Sequence, residues 1–209
     1  MNTENDFFKK KKTWSKIKDI VIGSYLPPYL KKVAQLRRHI VLVDAFAGPG
    51  KYENGSPGSP LMICQIAEQY APNMYTTIFV NKDKEHHQKL EALLKQFIEK
   101  KAAIPILGTA QELLEELQEL ISNQTLFIYL DPFGLKGCYF DLLIPYLERE
   151  KIYSTEIVIN LSMPTLHRLA TPAAVKEGRE TTITKKLNEE LSKVLGGEYW
   201  KGIMWNESL

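Results

Sequence analysis

Cysteine is scarce. The two present, Cys64 and Cys138, are too few for a disulfide framework and stand at no zinc-ligand spacing. A reducing compartment follows, and the cytoplasm is the expected location. No apolar run approaches the roughly 18 residues of a membrane-spanning helix, so no membrane is expected as a partner. The N-terminus is polar and lysine-rich, without the apolar stretch of a secretory signal. Histidine numbers only four. His86 and His87 open a helix among Lys and Glu and read as exposed polar residues, so no metal site is expected. Two phosphate-binding signatures are missing as well: the dinucleotide fingerprint Gly-x-Gly-x-x-Gly and the Gly-Lys-Ser/Thr of a P-loop.

What is present suffices for one sizeable core. Of the 209 residues, 44% are hydrophobic and 25% charged, the balance of an ordered globular chain. The net charge of +2 is unevenly spread. Residues 1–39 hold eight Lys and two Arg against Glu4, Asp6 and Asp19, a balance of +7, which leaves −5 for the remainder. Residues 1–39 therefore read as a basic N-terminal helical arm and 40–209 as the main domain. Lys9 to Lys12 suit a polyanion such as nucleic acid, and equally a solvated face.

The periodicity alternates between strands and helices. Residues 13–36 predict one or two helices, with Trp14, Ile17, Ile20 and Val21 on one face and a break at Pro27-Pro28. Ile40 to Val43 is a short β-branched apolar run that suits a central strand buried on both faces. Ser59 as N-cap and Pro60 at the first helical position predict a helix to about Tyr70. Further strands are expected at Thr76–Val80, Ala103–Leu107, Leu126–Leu130 and Ile157–Leu161, with Pro105 placing the third of the five at a sheet edge. Helices are expected at Glu85–Lys100, Gln111–Ile121, Phe140–Leu147 and Thr184–Leu195, and a polar excursion at 163–182. The class is α/β, a Rossmann-like doubly wound and mostly parallel sheet. In such sheets ligands bind beyond the strand C-terminal ends, where Asp44, Asn81, Gly108, Asp131 and Asn160 gather.

The first of these ends is the most informative. Asp44-Ala45-Phe46-Ala47-Gly48-Pro49-Gly50 closes a buried strand on a carboxylate and continues into a glycine turn. Glycines let backbone approach a ligand closely. A carboxylate beside them repels pyrophosphate but suits a cationic or amine-bearing ligand. S-adenosylmethionine carries both a sulfonium and an ammonium. The competing reading is a tight turn with a capping Asp.

The stretch from Val43 to Leu61 resembles the signature of the three-Cys-motif partner (TcmP) family. So do Asp131-Pro-Phe-Gly-Leu-Lys-Gly137 and Ile157-Val-Ile-Asn-Leu-Ser162. The resemblance runs from about residue 13 to the end and implies a fold of the S-adenosylmethionine-dependent methyltransferase type. It implies that Phe46, Ala47, Gly48 and Gly50 hold the methionine part of that cofactor and that Asp44 faces its ammonium. The acid that usually ends the second strand and binds the ribose is here Asn81, with Asp83 two residues later; after the third strand Thr109 stands near the adenine. A partner protein carrying three cysteines is implied by the family name.

Asp131-Pro132-Phe133-Gly134 resembles the Asp/Asn-Pro-Pro-aromatic motif of methyltransferases acting on exocyclic amines of bases. Asp131 and the Pro132 carbonyl can accept two amine hydrogens, and Phe133 can stack on a base taken out of its helix. The second proline is replaced here, which moves the aromatic one residue earlier. A strand-end Asp that caps the next segment, with Phe133 in the core, is the alternative.

No pair of further strands is evident after Leu161, so either a truncated family member or an open sheet edge lacking the final hairpin is expected. Three functions stay open: a methyltransferase acting on a base amine nitrogen, a non-catalytic Rossmann-like module binding nucleic acid or a protein, and a small-molecule methyltransferase.

Overall fold

The computed structural model describes residues 13–52, 54–170 and 182–205. Five parallel strands form one sheet: β1 (Ile40–Asp44), β2 (Tyr75–Asn81), β3 (Ala103–Leu107), β4 (Thr125–Leu130) and β5 (Thr155–Ile159). Their order is β3-β2-β1-β4-β5, that of a doubly wound Rossmann-like sheet, with the switch between β1 and β4. The expected class holds, and the sheet is wholly parallel. β1 is central and buried along its whole length, as its unbroken apolar run requires. Pro105 lies on edge strand β3 opposite Phe79, where a missing N–H costs no ladder bond on the open side.

Helices cover both faces. On one lie α1 (Thr13–Ala34), α2 (Ser59–Tyr70) and α3 (Lys84–Glu99), packed on Ile40, Leu42, Phe79 and Phe127. On the other lie α4 (Ala110–Leu120), a 3-10 turn (Phe140–Leu142) and α5 (Ile144–Leu147), packed on Val41, Val43, Ile128 and Leu130. A third, smaller cluster joins Leu135 to α6 (Met163–Leu169), α7 (Thr182–Leu195) and α8 (Tyr199–Trp205) through Ala170, Leu191, Val194 and Trp200.

Four local expectations are corrected. Helix α1 runs unbroken through Pro27 and Pro28. Interior prolines cost about 3 kcal/mol or more each. Burial of Ile22, Leu26, Tyr29, Leu30 and Val33, at about 1.5–3 kcal/mol per side chain, outweighs that. The same stripe reverses the expected face: Ile17, Ile20 and Val21 are 45%, 66% and 53% exposed. β5 starts two residues earlier than expected, because pairing begins where Leu126 N–H donates to the Ser154 carbonyl at 2.9 Å. Asn160 thereby falls just past the strand. Finally, the polar excursion opens as helix α6, with Pro164 in its first turn; residues 171–181 lie outside the described residues, as do Lys9 to Lys12. Among the described residues no strand follows β5, and no helix is long and apolar enough to cross a membrane.

Candidate active site

β1 ends on Asp44, which is 1% exposed. Its Oδ1 accepts from the Phe46 backbone N–H at 3.2 Å, which starts the turn. Its Oδ2 accepts from the Ser59 hydroxyl at 2.7 Å. The helix cap therefore differs from expectation: Gly58 is the N-cap, Ser59 is the first helical residue, and its hydroxyl serves the carboxylate instead. Burial pushes the Asp44 carboxyl up to about 7, and the charge of Asp131 adds to this. Ser59, the Phe46 N–H and Lys18 pull the other way.

The turn is tied to both neighbouring strands. Ala45 N–H donates to the Tyr129 carbonyl at 3.1 Å and Ala47 N–H to the Val80 carbonyl at 2.9 Å. Gly50 has φ +78°, and a Cβ there would sit 2.7 Å from Leu93 and 3.0 Å from Leu90 of α3. A side chain there would meet both the left-handed backbone and the packing against α3. Gly58 N–H donates back to the Gly50 carbonyl at 2.9 Å, closing the loop before α2. Gly48 and Phe46 are half-buried, while Ala47 is buried.

Two residues expected at the cofactor are engaged within the protein. The Asn81 Nδ2 donates to the Ala47 carbonyl at 2.5 Å, and its Oδ1 accepts from Asp83 N–H at 2.8 Å. Asn81 thus braces the turn from the end of β2. Thr109 caps α4: its hydroxyl donates to Glu112 Oε2 at 2.7 Å and accepts from Glu112 N–H at 3.2 Å, while its own N–H meets the same carboxylate at 2.8 Å. Both side chains hold structure at the positions where ribose and adenine contacts were expected.

The second motif meets the first. Asp44 stands opposite Tyr129 in the β1–β4 register, and Asp131 follows two residues on. The Phe46 ring lies against Gly137, whose φ is +81° and whose Cβ would come 3.5 Å from it. Asp131 is held from β5 and from α1. Asn160, just past β5, donates Nδ2 to Oδ1 at 2.7 Å, and the Lys18 ammonium of α1 forms an ion pair with Oδ2. Pro132 is half-buried, and Phe133 is 60% exposed, so this ring is outside the core. Gly134 beside it has open space where a side chain would be.

The site is anionic. Tyr129 is buried, and its hydroxyl is pushed upward first by burial and then by Asp131, Asp44 and Asp19. The charges of three carboxylates, from β1, the β4 end and α1, thus all reach one phenol. Lys18 is the cation among them. No group of three or more His, Cys, Asp or Glu side chains among the described residues is arranged to hold a metal ion. Such a field attracts an amine or sulfonium and repels phosphate. Lys18, Asp19 and Tyr129 carry no sequence signal as site residues: each sits in an ordinary helix or strand pattern, and only folding brings them to one edge.

No family profile and no curated protein sequence matches the chain. Among solved structures it is similar to a Staphylococcus aureus protein described as a caffeoyl-CoA O-methyltransferase, with 10% identity, TM-score 0.43, and coverage of 95% of this chain and 87% of that one. A methyltransferase from Geobacter sulfurreducens gives 11% identity, TM-score 0.34 and coverage of 69% and 68%. A Galdieria sulphuraria protein described as a sarcosine dimethylglycine methyltransferase gives 11%, 0.41, and 88% and 71%. Likeness at this level does not bear on what the chain does; the assignment of the Rossmann-like fold rests on its own strand order.

Proposed function

We propose that the chain is an S-adenosylmethionine-dependent methyltransferase acting on an amine nitrogen. One observation carries the reading: two carboxylates, Asp44 and Asp131, stand at adjacent strand ends beside the glycine turn, and one of them already holds an amine. The residues fit the cationic end of the cofactor by charge: Asp44 is buried with its oxygens bonded to the Phe46 N–H and to Ser59, and an ammonium beside the Phe46–Gly50 turn would feel its field. They fit its ribose less well, since Asn81 and Thr109 are bonded internally. When bound, the cofactor supplies an electrophilic methyl group. The chain's own residues supply the rest. Asp131 orients the acceptor amine and takes its proton, the Pro132 carbonyl accepts a second amine hydrogen, and Asn160 fixes the carboxylate.

The acceptor suggested by Asp131-Pro132-Phe133 is an exocyclic amine of a nucleic-acid base, with the exposed Phe133 ring offering a stacking face. The four lysines Lys9 to Lys12 would supply the charge that meets its phosphates. Membership of the TcmP family and a three-Cys-motif partner rest on the sequence resemblance.

Calorimetric titration with S-adenosylmethionine tests the reading, followed by methyl transfer to single-stranded oligonucleotides. Absence of both heat and thermal shift at millimolar cofactor would sink it. A second reading, a non-catalytic Rossmann-like binding module, is favoured by the internal bonding of Asn81 and Thr109. Polyanion binding that weakens with salt, without any cofactor binding, would select it.

A further inference from the structure

Helix α1 delivers Lys18 to Asp131, the carboxylate read above as holding the acceptor amine. Its ammonium is paired with Asp131 Oδ2 across 113 residues of sequence. The two side chains are only 16% and 20% exposed. Other lysine pairs differ: Lys89–Glu85 and Lys95–Glu99 join exposed side chains one turn apart on α3. Asn160 takes the other Asp131 oxygen at 2.7 Å, so the carboxylate is fixed with one oxygen committed to Lys18. Beside the lysine a cleft of about 90 Å³ is walled by Ile17, Val21, Tyr129, Val158 and Asn160. It is mostly apolar and leaves room for added methyl groups.

We propose that Lys18 is a methyl acceptor in its own chain, held by Asp131 at the acceptor-amine position. The inference rests on the reading of amine methyl transfer, not on the choice of a nucleobase. The step balances as follows. Lys18 gives one ammonium proton to Asp131. Its Nζ lone pair then forms an N–CH3 bond as the S–CH3 bond of a sulfonium donor breaks. The sulfur leaves as a neutral thioether, the positive charge passes to the methylated nitrogen, and Asp131 releases the proton to solvent. A primary alkylamine is thus the acceptor class for which the site is already shaped, and Lys18 has to withdraw before any external amine can reach Asp131.

Two measurements test this. The first needs no cofactor: the full chain is treated briefly with acetic anhydride and mapped by peptide mass. Lys18 should be acylated several-fold more slowly than exposed Lys16, and Asp131→Asn should remove the protection while circular dichroism shows an unchanged fold. Equal rates at Lys16 and Lys18 overturn the placement. The second incubates the protein with S-adenosylmethionine, with binding followed separately by calorimetry. Added methyl mass should map to Lys18 and vanish in Asp131→Asn and in Lys18→Arg, which keeps the charge. Cofactor binding and oligonucleotide methylation without any label on Lys18 overturn the inference and leave the proposed function standing. Equal labelling of Lys16 also overturns it. Absence of cofactor binding overturns both.

Discussion

The Asn81 side chain, at the end of β2, donates to the Ala47 carbonyl in the turn after β1 at 2.5 Å, and so commits its amide to the turn, where the sequence resemblance places a ribose contact. Replacement by Asp, the residue type usual at such a strand end, should therefore harm the protein. A carboxylate cannot donate to the carbonyl and would face it buried, at a cost of about 1–3 kcal/mol. Asn81→Asp should lower the urea midpoint at neutral pH at least as far as Asn81→Ala does. A gain in cofactor affinity with unchanged stability would show that the amide is free to serve the ligand.

Gly50 separates steric from conformational cost. Alanine there meets Leu93 at 2.7 Å and must also keep φ +78°. Crowding costs about 1–3 kcal/mol and the left-handed backbone about 1–2 kcal/mol. Gly50→Ala should thus destabilise by a few kcal/mol in chemical denaturation. Adding Leu93→Ala should return only the crowding part of the coupling, so the double variant is less damaged than the sum of the singles. Strict additivity would place the requirement elsewhere in the turn.

The fold was legible because its signals are local. The apolar run at Ile40–Val43, the edge proline at Pro105 and the β/α alternation each reflect burial of one element against its neighbours. The course of α1 was not legible: Pro27-Pro28 reads as a break, and only the tertiary stripe from Ile22 to Val33 shows why the helix continues. At the site, Asp44 and Asp131 are marked by their place at strand ends. Asn160 is marked in the same way, just past the end of β5; Lys18, which pairs with Asp131, is not, because it arrives from 113 residues before. The sequence neighbours of Ser59 fit a helix cap, but the buried carboxylate of Asp44 takes its hydroxyl and Gly58 becomes the N-cap.

The proposed role of residues 1–12 has a separable signature. Each phosphate neutralised on a single strand adds about 0.7 to the steepness of the fall in log binding constant with log salt. Removing 1–12, with its four consecutive lysines, should flatten that slope and weaken oligonucleotide binding while cofactor affinity stays the same. Filter binding across a salt series reads the slope. An unchanged slope would assign nucleic-acid contact to other residues, and unchanged methyl transfer would favour a small-molecule acceptor.

Asp44 sets a pH dependence whose sign follows from its burial. Its carboxyl ordinarily titrates at 3.8 and is raised to about 7 in the folded protein. The folded state therefore prefers the protonated acid. The stability this contributes is fully present below 3.8, declines as pH rises, and is gone above about 7. A shift of this size corresponds to about 4 kcal/mol. Asp44→Asn removes the titration while keeping an acceptor oxygen for Ser59 or the Phe46 N–H. The variant should match or fall below the parent in acid and exceed it above about pH 7, as urea midpoints across pH would show. Cation binding runs the opposite way. An ammonium prefers the ionised carboxylate, so cofactor affinity should rise with pH up to about 7 and binding should release protons. Calorimetry in two buffers of different ionisation enthalpy measures that release. Parallel stability curves for parent and Asp44→Asn, together with binding that exchanges no proton, would mean that Asp44 is a structural acid and not the seat of the ligand's charge.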